Sequence, residues 1–222
     1  MNRTEAEEHL RVIRSLMEKA TIYRAISAPT ALVGGLLSTL AGIVLVWPVR
    51  ETAGEPAVFF CAWLAVLGIT AAANALFLRR DARRRGDAFI SPGMRMALTA
   101  LAPSHVAAGF ATALAAWEAA GVHATQLHLS LPAFWCVLHG FGLLATAHFA
   151  PRSIARLGWA FLIAGLGALG LFVVGFGSIL PEGVSPARIS NAVMALTFGL
   201  LHLLYAACTW PRAGRSDDGA GE

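Results

Sequence analysis

Residues 28–49, 57–78, 96–117, 131–150, 157–178 and 189–210 are six stretches of predominantly apolar residues, and nothing else constrains the fold of this chain as strongly. Each holds the roughly 20 residues that cross about 30 Å of hydrocarbon at about 1.5 Å per residue. Hydrocarbon offers no water to the backbone, so each segment must satisfy its own N–H and C=O groups as a helix. The expected fold class is therefore all-α: a polytopic membrane protein, a bundle of six transmembrane helices. Composition agrees. Only 14% of residues are charged and mean hydropathy is +0.64, whereas soluble domains carry about 25% charged residues. The first 27 residues are charged and amphipathic, unlike a cleavable signal peptide.

Proline and arginine refine this picture. Nine of the ten prolines fall at or near the expected span ends, and only Pro103 lies inside a span. With the N-terminus inside, residues 1–27, 79–95, 151–156 and 211–222 hold 15 of the 17 basic residues, leaving Arg50 and Arg188 outside. That bias predicts cytoplasmic termini. The run "RRDARRR" (79–85) would meet anionic headgroups. The net charge of +4 arises in these inner loops, and no aromatic-interleaved basic module accompanies it, so no nucleic-acid partner is expected. No loop is large enough for a soluble catalytic domain. No CxxC, GxSxG, phosphate-binding or dinucleotide motif appears in the context it needs, so soluble-enzyme chemistry has no support.

Residues 4–27 read as an amphipathic surface helix. Thr4 and Glu7 have capping-box spacing, and Leu10, Ile13, Leu16, Met17 and Ala20 recur on one face. The helix is expected to lie on the inner membrane surface, and a cytoplasmic protein partner is its sharper use. Residues 28–210 would be the membrane domain and 211–222 a cytoplasmic tail. This N-terminal stretch through "SAPTALVGGLL", with "LPAFWCVLHGFGLLATAHFAPRSIARLGWAFLIAGLGAL", resembles uncharacterised bacterial six-span inner-membrane proteins. The resemblance spans about half the chain and implies a bacterial inner (plasma) membrane. It attaches no activity and no functional residues.

Gly34, Ser38 and Gly42 form a small-residue stripe on span one, and Ala160, Ala164 and Ala168 form one on span five, as helix packing in lipid requires. "MALT" occurs at 96–99 and 194–197, each followed by a histidine. Pro29–Pro48 and Pro132–Pro151 share a spacing. These offsets suit two inverted three-helix halves of the kind found in transporters.

Histidines carry the candidate chemistry, because the spans hold no mid-membrane Lys, Arg, Asp or Glu. Counted from the inner ends, His105, His139 and His202 lie about 14, 16 and 12 Å deep. His148 lies near the inner boundary and is expected to anchor at the interface. On a helical wheel His105 shares a face with Gly109, Thr112 and Ala116. His139 does so with Gly142 and Thr146, and His202 with Asn191, Ala195 and Gly199. Faces of this type pack inward, so the three rings meet if spans three, four and six are neighbours. Pro103 frees the Thr99 carbonyl beside Ser104 and His105, the broken-helix arrangement of proton relays and substrate sites.

Ser104, His105, His139 and His202 are therefore the candidate mid-membrane polar site, with Pro103 as a kink. The alternative is that each neutral imidazole only bonds a neighbouring helix. No cofactor is expected. Zinc on His105, His139 and His202, or haem, are the options left open, although no mid-membrane carboxylate exists to orient zinc ligands. Outer-face residues such as Glu118, His123 and His128 lack metal-ligand spacing. Cys61, Cys136 and Cys208 read as small buried hydrophobes, with a Cys61–Cys136 disulfide as the alternative. The leading expectation is a non-enzymatic membrane protein with a structural, sensing or regulatory role. The alternatives are a small transporter or channel with a histidine-lined path, and a membrane metalloprotein.

Overall fold

The structure, a computed structural model, describes residues 8–9, 28–46, 55–86, 89–90, 92–118, 124–173 and 186–210. The expected amphipathic helix over 4–27, apart from helical residues 8 and 9, and the tail at 211–222 lie outside the described residues. All described secondary structure is helical. In chain order it comprises α1 (Ala28–Val46), α2 (Glu55–Arg85), α3 (Pro92–Glu118), α4 (Ala124–Ala145), α5 (Arg152–Val173) and α6 (Pro186–Met194). A π-helical stretch (Ala195–Leu201) and α7 (His202–Thr209) follow α6 without a break. Five segments are long and apolar enough to cross a membrane: Ala28–Val46, Ala57–Arg84, Gly93–Trp117, Arg152–Val173 and Ala187–Thr209. Ser130–Ala145 within α4 is a shorter apolar piece.

Several boundaries differ from those the sequence suggested. α2 runs about two turns beyond the apolar stretch, so "RRDARRR" continues the helix. Gly86, in the left-handed region with φ 70°, ends it. α4 begins at Ala124, so Pro132 lies inside that helix together with Pro103 in α3, and is not a boundary residue. Pro132 is fully buried, and its packing offsets the hydrogen bond it cannot donate. α4 ends at Ala145, short of the expected 150, in a tight turn where Thr146 accepts from the N–H groups of Phe149 and Ala150 at 3.1 and 2.8 Å. His148 sits exposed in that turn.

Glycine contacts decide how the helices meet. α4 and α5 form the most extensive pairing. A Cβ at Gly140 would lie 2.8 Å from the Gly158 carbonyl, and one at Gly165 would lie 2.8 Å from the Val137 backbone. The buried face of α5 is Ile154, Leu157, Gly158, Phe161, Leu162 and Gly165, so the Ala160–Ala164–Ala168 stripe is not the packing face. Here the glycines permit closer backbone approach than alanine does. On α1, Gly34, Ser38 and Gly42 are all buried. Gly42 is seated against Ala195, and a Cβ at Gly35 would lie 2.9 Å from Leu203.

The first and last membrane segments thus pack together at the centre of the bundle. α6 also reaches α4, while α2 rests mainly on α1 and α3 mainly on α4. α2 and α3 barely touch. Two elements that flank the same bundle without packing on each other leave a cleft between them.

Candidate functional site

The cleft is a cavity of about 570 Å³, floored by α1, α4 and the last segment and walled by α2 and α3. All of the α3 face that carries His105 lines it: His105, Gly109, Thr112 and Ala116. A Cβ at Gly109 would meet nothing within 4 Å, so this stretch of α3 borders open space.

His105, His139 and His202 come together on the cavity wall, from α3, α4 and the start of α7. His139 is central: its ring centroid lies 5.6 Å from that of His105 and 5.7 Å from that of His202. Gly142, one turn further along α4, lets α3 approach, since a Cβ there would lie 2.5 Å from Ser104 Oγ and 3.4 Å from His105 Cε1. Thr146, completing that face of α4, is fully buried. Two phenylalanines bind the cluster together. Phe161, wholly buried, lies 4.7 Å from His139 and 5.2 Å from His202, and Phe198 lies 5.4 Å from His139. Edge-to-face and tilted packing of this kind adds to what area burial alone provides.

Hydrogen bonds fix two of the three rings. His105 Nδ1 is 2.9 Å from the Leu101 carbonyl and His202 Nδ1 is 2.8 Å from the Phe198 carbonyl. A carbonyl only accepts, so each Nδ1 carries a proton, and the neutral tautomer that does so presents Nε2 as an acceptor. His139 Nε2 is buried and has no hydrogen-bond partner. Ser104 Oγ also donates to Leu101, at 2.9 Å. The carbonyl shared by Ser104 and His105 is therefore that of Leu101, two residues before Pro103, rather than that of Thr99.

Of the face drawn for His202, Asn191 and Ala195 meet Gly42 of α1 and Gly199 meets Thr39 of α1. Asn191 Oδ1 also accepts from Trp63 Nε1 of α2 at 2.7 Å, and His202 opens on the cavity. The π-helical stretch before His202 rotates less per residue than an α-helix, so His202 is offset from the position that an α-helical wheel gives it. No proline marks that stretch. The phenylalanine partners and the Trp63–Asn191 bond also carried no signal in the sequence, because apolar residues facing protein and those facing lipid look alike.

Among the described residues, no three His, Cys, Asp or Glu side chains stand in positions to hold a metal ion. The side chains of Glu118, His123 and His128 lie outside those described. Cys61, Cys136 and Cys208 are free thiols; Cys136 is wholly buried while Cys61 and Cys208 are exposed, so no Cys61–Cys136 disulfide forms. What the arrangement can do is hold a ligand: a cavity of this size suits a small molecule, and three adjacent imidazoles give one wall a polar patch. Comparison with family models, with curated proteins and with solved structures found no match to this chain.

Proposed function

We propose that the chain is a small transporter-type protein of the bacterial inner membrane that takes a lipid-soluble small molecule into the cavity between α2 and α3. In this reading six helices span the bilayer and α4 supplies the sixth span. Both termini are cytoplasmic, residues 1–27 lie on the inner surface, and no covalent chemistry is performed. The observation that carries it is the histidine wall, three imidazoles meeting at mid-span depth beside a cavity of about 570 Å³. Packing residues would fill such a space rather than line it.

Two further features support transport over a purely structural or regulatory role. α2 and α3 scarcely hold one another, which leaves the cleft a route from the bilayer. The helices bearing His105 and His202 are each irregular beside the histidine, at Pro103 and at the π-helical stretch, and such irregularities serve as joints.

The test is organic extraction and mass spectrometry of detergent-purified protein, wild type against Gly109→Phe. The phenylalanine ring would occupy the open space beside Gly109. A molecule enriched in the wild type and absent from a variant of unchanged thermal stability is the expected result. An extract no different from bulk detergent-solubilised membrane, in both proteins, would refute the reading.

A further inference from the structure

Near the histidines, the cavity's hydrogen-bonding groups are unevenly committed. Trp135 Nε1 donates to Thr112 Oγ1 at 2.9 Å, Thr112 Oγ1 donates to the Ala108 carbonyl at 2.8 Å, and Ser104 Oγ donates to Leu101. These donors are spent inside the protein. The rings of His105 and His202 use Nδ1–H on backbone carbonyls, and the neutral tautomer with that proton keeps an acceptor lone pair on Nε2. His139 Nε2 is buried and unpartnered between them. Thr70 Oγ1, on the α2 side of the cavity, is also buried without a partner and can either donate or accept. A ligand matched to the histidine wall must bring donors.

The rest of the lining limits what carries those donors. Aromatic rings surround the site: Phe60 and Trp63 from α2, Trp135 from α4, and Phe198 from the π-helical stretch. Planar aromatic groups stack well on such surfaces, offset or edge-on. Around the histidines no described carboxylate lines the cavity, which argues against an organic cation. The poorly sealed seam between α2 and α3 is bordered by Leu64, Leu67 and Ala113, so a chain leaving there enters hydrocarbon.

We infer that the ligand is an amphiphile with a hydroxylated aromatic head, a phenol or hydroquinone bearing an apolar tail. Its hydroxyl donates to Nε2 of His105 or of His202, and its tail passes between α2 and α3 into the bilayer. This rests on the proposed function in needing the cavity to be a binding site, and it adds the ligand's chemistry. A cavity acceptor that awaits a hydroxyl discriminates against an analogue that lacks one, because that acceptor is then left unpaired.

The probes are decylhydroquinone and its dimethyl ether, which share ring and tail; each O–H of the first is an O–CH3 in the second, and substitution of the histidines separates the lost donor from the added methyl. Both are titrated calorimetrically under argon into full-length protein in detergent micelles. The hydroquinone is expected to bind at least tenfold more tightly than the ether. His105→Phe and His202→Phe keep an aromatic ring and remove the acceptor, and are expected to erase that preference while leaving ether affinity unchanged. Equal or inverted affinities in the wild type would overturn the inference and leave the cavity reading standing. Absence of saturable binding by either probe, with nothing co-purifying in the extraction experiment, would overturn both. The wild-type ratio decides the matter even where a histidine variant fails to fold.

Discussion

Gly142→Ala tests whether α3 is held where it brings His105 to His139. The new Cβ would lie 2.5 Å from Ser104 Oγ, 3.3 Å from Leu101 Cδ2 and 3.4 Å from His105 Cε1. The last two contacts are tight but tolerable, whereas the first is about an ångström too short. Two escapes exist. The Ser104 hydroxyl can swing away and lose its bond to Leu101, at about 0.5–1.5 kcal/mol. Alternatively α3 can move off α4 by about an ångström, an overpacking strain of about 1–3 kcal/mol. Either route predicts destabilisation of about 1–3 kcal/mol in equilibrium unfolding in mixed micelles. Ser104→Ala removes the clashing atom, so the double variant should recover most of the loss, with a coupling energy of about 1–2 kcal/mol. A Gly142→Ala protein as stable as wild type, or losses that simply add in the double variant, would show that these two residues are not in contact and would refute this placement of α3.

Phe161→Ala removes the wholly buried ring beneath His139 and His202 and should cost about 3–5 kcal/mol in the same unfolding assay; a loss under about 1 kcal/mol would place Phe161 outside the core. Trp63→Phe strips the donor from the buried Asn191 Oδ1, 2.7 Å away, and should cost about 1–3 kcal/mol. Asn191→Leu in that background should relieve much of the loss, and an unrelieved loss would contradict the pairing. Cys136 should resist a membrane-permeant maleimide until the protein is denatured, while Cys61 and Cys208 react in the native state. Native labelling at Cys136 would contradict its burial.

The sequence made some of this legible and hid the rest for a physical reason. Length and hydropathy located the five described helices that are long and apolar enough to cross a membrane and the shorter apolar piece in α4, since a bilayer's thickness imposes itself on composition. The turn at 146–150 came close to the expected end of span four, and the buried Gly34–Ser38–Gly42 stripe appeared as small residues on one face. Which helices adjoin was not written in the pattern. Lipid tails are as apolar as leucine, so Leu64 facing the cleft and Leu76 facing outward carry the same mark. For that reason the faces of His105 and His139 could be drawn while their meeting could not. The offset of His202 from its place on an α-helical wheel could not be foreseen, because a π-helical stretch made of ordinary residues, "ALTFGLL", leaves no trace in composition. The alanine stripe on α5 misled for a related reason: alanine is abundant here, and only glycine was small enough for the closest backbone contacts.

The pairing of the first and last membrane segments bears on how the protein is made. Trp63 and Asn191 are separated by 128 residues, and Gly42 waits for Ala195 across a still longer interval. At about 5–20 residues per second, α1 and α2 enter the bilayer roughly 6–26 s before the helix that covers them is synthesised. During that interval the glycine groove of α1 faces lipid, and the indole N–H of Trp63 has no Asn191 to meet. The nascent chain therefore passes through a stage in which its first hairpin is inserted but unfinished.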